Sequence, residues 1–266
     1  MEKYKTAFWA GVSNSMEFRF DFLMNLIGTV FPILMQVFIW SAMYGDSGCD
    51  AMYGYTFPQM ILYVVVAGAV AKFTNTGVEY MVNEDIHSGG IARYLVRPVN
   101  YVGFRLCDVV GNKFVSMISM VFVTLGALLL LFFAVDFVVA PAAVLLFFLS
   151  LALAAVLNFF IFFCLSTLAF WLTEIGNFFH AISVVIMVMS GGIFPVSVFG
   201  STYESISRYI PLTYTINYPI QILSGAAGIT EAVEVLCIQL IWIFLLAVLG
   251  RCSWHLGLKK YVAVGG

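Results

Sequence analysis

The sequence predicts an all-α polytopic membrane protein with six transmembrane helices, and three observations carry that prediction. Of its 266 residues 62% are hydrophobic and only 10% charged, against about 25% charged in soluble domains. Mean hydropathy is +1.02. The apolar residues gather into stretches close to the ~20 residues that cover ~30 Å of hydrocarbon. A soluble fold of this size could not hide so much apolar side chain. The same composition excludes a disordered chain, a collagen-like fibre and a disulfide-stapled secreted domain.

The elements follow in chain order, and 1–266 reads as a single transmembrane domain. In residues 1–20, Lys3, Lys5, Glu17 and Arg19 are interleaved with Tyr4, Phe8, Trp9, Phe18 and Phe20. That mixture suits an interfacial helix lying along the membrane and turning sharply near Asp21. It is too broken by polar residues for a cleavable signal. The predicted spans are 22–44, 57–78, 114–135, 142–172, 175–194 and 233–249. The fourth is long enough to require tilt or projection beyond one face. Lys3, Lys5, Arg19, Arg93, Arg97, Arg105, Lys113, Arg251, Lys259 and Lys260 then fall on one side and only Arg208 on the other. The positive-inside rule makes both termini cytoplasmic.

Polar residues inside spans face protein or water, because lipid cannot satisfy them. Asn25, Thr29 and Gln36 share one side of the first span, and Lys72, Asn75, Thr76 and Glu79 one side at the end of the second. His180, Ser183 and Ser190 do the same in the fifth. These stripes line either a pathway or subunit seam, or ordinary contacts between helices, with Lys72 snorkelling to headgroups. His180 has no second ligand at metal spacing and reads as a packing or hydrogen-bonding histidine. Cys49, Cys107, Cys164, Cys237 and Cys252 are scattered without a ligand motif.

Two connections carry more information. Residues 85–95 read as a short amphipathic helix, interrupted at Gly89–Gly90 and stopped before Pro98. Ile86, Ile91 and Leu95 would form its apolar face, with Asp85 and Arg93 flanking. Such a helix suits docking to a soluble partner or lying on the headgroups. Residues 195–228 are apolar and aromatic yet broken by Pro195, Pro211 and Pro219. They form either short helices dipping into the outer leaflet as a cap or gate, with Tyr209, Leu212 and Tyr214 buried there, or an inert outer loop. No phosphate loop, nucleophile elbow or metalloprotease motif is present, so the chain is expected to perform no catalysis of its own.

SGGIARYLVRPVNY (88–101), IPLTYTINYPIQILSG (210–225) and GLKKYVAVGG (257–266) resemble the permease subunits of type-2 ATP-binding-cassette exporters, most closely a bacterial branch of ABC-transport-system permeases. The resemblance implies an elbow helix at 1–20, a coupling helix at 83–95 seated in an ATPase groove, and re-entrant helices at 195–228 forming an outer gate. It implies two copies of a cytosolic ABC ATPase, which bind ATP and Mg, and no cofactor on this chain. A second permease, identical or paralogous, would face this one in a bacterial plasma (inner) membrane among lipids, with no nucleic-acid partner. The expected cargo is a hydrophobic or amphipathic lipid, peptide or drug leaving the cytoplasm or inner leaflet. The alternative is an ion-gradient-driven secondary transporter, which would want carboxylates near the midplane and a repeated half. The acidic residues instead read as lying at span ends or in loops.

Overall fold

A computed structural model describes Thr6, Trp9 and residues 19–47, 51–96, 100–135, 140–172 and 175–261, with the backbone alone at 19–30, 47, 95, 115–120, 123, 127, 128 and 130–135. Helix α1 (Arg19–Ser47) is followed by a hairpin of β1 (Ala51–Met52) and β2 (Tyr55–Thr56). Then come α2 (Phe57–Thr74), α3 (Val78–His87), α4 (Ala92–Leu95), α5 (Tyr101–Val135) and α6 (Pro141–Ser166). After α7 (Gly176–Met189), the chain runs through α8 (Ser201–Ser207), α9 (Asn217–Ser224) and α10 (Ile229–Leu258), with single 3-10 turns between.

The central element is α6, which packs against α2, α3, α9 and α10; α1 and α5 flank α2. Phe147, Leu151, Leu157, Phe159 and Phe163 of α6 are fully buried in one continuous core. Among the described residues three stretches are long and apolar enough to cross a membrane, Phe57–His87, Pro141–Phe170 and Ile229–Leu258. Helices α1 and α5 add 29 and 35 residues of continuous helix. The fold is that of an all-α membrane protein.

Several boundaries differ from the sequence prediction for identifiable reasons. Helix α1 runs unbroken through Asp21 from Arg19, and any turn that precedes it lies outside the described residues. Of the interfacial segment 1–20, only Thr6, Trp9, Arg19 and Phe20 are described, the last two already within α1. The second span breaks at Asn75–Gly77, where Asn75 is extended and Gly77 has φ +64°. The helix can end there because its last carbonyls find donors. The backbone amide of Asn75 donates to the Ala71 carbonyl at 3.1 Å, Lys113 Nζ to that of Lys72 at 3.2 Å, and Asn158 Nδ2 to that of Thr74 at 2.6 Å. Orphaned terminal carbonyls would otherwise cost free energy in an apolar surrounding.

The fifth span, expected over 175–194, is helical only for the 14 residues of α7, a rise of about 21 Å. That falls short of ~30 Å of hydrocarbon. It stops at Gly191, whose φ of +88° and close approach to Tyr63 leave no room for a side chain: a Cβ there would lie 2.5 Å from the Tyr63 hydroxyl.

Candidate functional site: a polar cavity between the broken second span and α7

The C-terminal turn of α2, the break after it, the start of α3, the middle of α6 and the inner side of α7 enclose a cavity of about 300 Å³. Asn75, Glu79 and Tyr80 line one wall, Asn158 and Phe162 the back, and His180, Ser183 and Ser190 the other wall. Two stripes predicted on separate spans therefore meet across one space. The third does not join them: Gln36 of α1 is half-buried and does not line the cavity. Asn25 and Thr29 lie on α1 where only the backbone is described. Lys72 is exposed and stands outside the lining, and Thr76 is buried beneath it with its hydroxyl unpartnered.

Glu79 is the exceptional member. It sits in the first turn of α3, only 2% exposed, and its Oε2 has no hydrogen-bond partner. The positive end of the α3 dipole favours a carboxylate at that position. Across the mouth, the Tyr80 hydroxyl lies 3.0 Å from His180 Nδ1, with the rings 5.1 Å apart. His180 is exposed at the rim and hydrogen-bonded, as the sequence predicted for it.

Thr215 and Ile216 close one end of the cavity. They belong to the 195–228 connection, whose 213–224 part is largely buried against α2 and α6, whereas 199–209 is mostly exposed. Tyr63 of α2 donates to the Gly191 carbonyl at 2.6 Å and lies 3.1 Å from Asn217 Oδ1. Gln239 of α10, fully buried, donates to the carbonyls of Tyr214 at 2.8 Å and Ser150 at 3.1 Å. In a membrane such polar pairs hold apolar helices in register. Of the gate residues, Pro195, Tyr214 and Pro219 are buried, and Pro211 and Leu212 half-buried. Tyr209 is 81% exposed, so the expectation that it is buried is not met; Tyr214 stacks on Tyr218.

The predicted docking segment is also reorganised. Residues 83–87 complete α3, a turn with Gly89 at φ +75° follows, and only Ala92–Leu95 is helical again. Ile86 and Ile91 are 6% and 0% exposed, so the apolar face turns into this chain's own core rather than outward. The reason is the partner that Asp85 finds. Asp85 Oδ2 accepts from the Tyr101 hydroxyl at 2.5 Å and from Arg105, whose guanidinium also reaches Asp108 at 3.6 Å. Burial pushes the Tyr101 phenol above its ordinary range, so it remains a neutral donor. Its ring lies flat on Trp254 of α10, 4.5 Å away at 6°. Arg93 is 73% exposed and only 4.0 Å from Asp85, a loose contact. The outward side of the segment carries Glu84, His87, Ser88, Arg93 and Val96. The side chain of Leu95 lies outside the described residues.

Sequence reasoning missed Tyr63, Asn158, Asn217 and Gln239. The available signal was a lone amide inside an otherwise apolar helix, present at Asn158 and Gln239. Among the described residues no cluster of His, Cys, Asp or Glu could hold a metal ion. The cavity offers hydrogen-bonding groups, one buried carboxylate and an apolar flank. Residues 30–265 match a family described as ABC-2 family transporter protein. No curated protein matches the chain.

Proposed function

Because the chain belongs to the ABC-2 transporter family, we propose that it is the transmembrane permease subunit of an ATP-driven exporter for a hydrophobic or amphipathic substrate. The observation that carries this reading is the polar cavity inside an otherwise apolar bundle, lined at one end by Thr215 and Ile216 of the proline-broken 195–228 connection. Substrate enters from the cytoplasm or inner leaflet and leaves past that connection, which acts as the outer gate. Two copies of a cytosolic ATPase bind ATP and Mg and supply the free energy. A second permease, identical or paralogous, completes the path in a bacterial plasma membrane, with both termini cytoplasmic.

Coupling is assigned to the same connection as before but to its other side. The ATPase reads the exposed Glu84, His87, Ser88 and Arg93. The Asp85–Tyr101–Arg105 cluster, stacked on Trp254, makes α3, α5 and α10 move as one body when the ATPases close. One observation favours the ion-coupled alternative: Glu79 is a buried carboxylate beside the cavity.

The two readings separate in one experiment. The permease is co-expressed with a candidate ABC ATPase, co-purified, and assayed in proteoliposomes with ATP or with an ion gradient. ATP-dependent transport and a stable ATPase complex are expected. Transport that needs a gradient and ignores ATP would replace this reading with the secondary transporter. Orientation is checked with Thr202→Cys and Ser88→Cys, both at exposed positions. An impermeant thiol reagent should label the first in intact cells and the second only after permeabilisation.

A further inference from the structure

We propose that the cavity recognises the protonated amino group of an amphipathic substrate, with Glu79 as its counter-charge; this rests on the permease reading and specifies its substrate class. The hydrogen-bond census of the lining points to a donor-bearing ligand. Thr74 donates its hydroxyl to the Val70 carbonyl at 2.9 Å, and Ser183 to that of Phe179 at 2.6 Å. Ser190 donates to Met187 at 3.0 Å, and Thr215 to Leu212 at 2.6 Å. Each hydroxyl has one proton, so each presents only lone pairs to whatever else comes near. Asn158 donates one Nδ2 proton to the Thr74 carbonyl and keeps a second amide proton beside its acceptor oxygen. The four committed hydroxyls and the Glu79 carboxylate supply acceptors for an ammonium, which carries only donors, beside the amide groups of Asn75 and Asn158.

Charge leads to the same chemistry. No Lys or Arg lines the cavity, and Glu79, 2% exposed, has an unpartnered oxygen under its wall. Buried carboxylates are normally paired, because an uncompensated charge is strongly disfavoured in low dielectric. The α3 dipole supports the ionised form without supplying a counter-ion. The ring of Tyr80 on the same wall offers a face to a cation. The remaining lining is apolar, with Phe162, Val184 and Met187, and Val184 and Val185 continue it onto the exposed side of α7 at 59% and 48% exposure. At about 300 Å³ the space holds a head group and the first part of a chain, at the lower limit of ordinary ligand pockets. The rest of an alkyl tail lies along α7.

The test uses purified full-length permease in nanodiscs of neutral phospholipid, with partition into empty nanodiscs subtracted. Binding of radiolabelled dodecylammonium is compared with dodecanol and dodecyl sulfate, on the native chain and on Glu79→Gln. The native protein should favour dodecylammonium over dodecanol by tenfold or more, about 1.4 kcal/mol, and Glu79→Gln should abolish most of that preference. Equal binding of the three probes, or a preference unchanged in Glu79→Gln, overturns the proposal. Should Glu79→Gln fail to fold, the native ammonium-to-alcohol ratio decides alone, and a ratio near one overturns it. ATPase association is measured in the same preparations. Its loss with the ammonium preference intact counts against the permease reading and not against this site.

Discussion

Two buried carboxylates, six residues apart on the same short helix, have opposite surroundings. Asp85 is saturated: a phenol and a guanidinium meet one of its oxygens, and the phenol's ring is clamped by Trp254. Glu79 is equally buried and belongs to the lining of a cavity, with one oxygen enclosed and unpartnered. The difference separates stability from function. A carboxylate whose charge is met within the chain fixes an arrangement, whereas the one left unmet beside a cavity is the group on which the proposed recognition rests.

That contrast breaks most readily at Arg105. Replacing it with Met leaves Asp85 buried and short of its cation, and should cost about 3–5 kcal/mol, read as a lower unfolding midpoint in detergent. A tolerated Arg105→Met would mean that the cluster is not closed. Ile91→Ala comes next, since Ile91 is fully buried; a loss of about 2–5 kcal/mol is expected, and an unchanged midpoint would restore Ile91 to an outward-facing docking role. Tyr101→Phe removes one hydrogen bond to Asp85 while keeping the stack on Trp254. A loss of about 1–3 kcal/mol is expected, with Trp254 fluorescence little altered. Glu79→Gln sharpens the comparison from the other side, because it removes a charge that lacks a partner. Its effect on the midpoint should correspond to less than about 1 kcal/mol, and a large destabilisation would reveal an internal partner for Glu79. Arg93→Ala is the smallest, within about 0.5 kcal/mol, since its contact with Asp85 is long and solvent-exposed. ATPase association is the measurement in which it should register.

Parts of the site were legible before any tertiary structure. Asn75 and Glu79 on one stripe, and His180, Ser183 and Ser190 on another, were singled out by polarity within apolar stretches, and these meet across the cavity. The aromatic, proline-broken 195–228 segment was recognised as no span, with short buried helices and an inert loop both left open; its 213–224 part packs against α6. Ile86 and Ile91 were read in the wrong direction. Their spacing marks an apolar face correctly, but spacing does not say whether that face meets a partner or the chain's own core. Asp85 turned that face inward by pairing with Arg105, a residue in a different helix.

Composition and hydropathy by themselves determined that this chain lives in a bilayer as helices. With no water to satisfy backbone groups, a long apolar run has few other solutions. Charge placement similarly determined which end of the bundle is basic. Only the tertiary structure decided which side of each helix is inside. In α6 the residues toward the core and those toward lipid are equally apolar, Phe147 being buried and Leu145 72% exposed. Lipid tails resemble a protein interior, so no amphipathic period marks the buried side. Scattered amides and carboxylates carry the information instead, and each acquires meaning only when its partner, or the lack of one, is known.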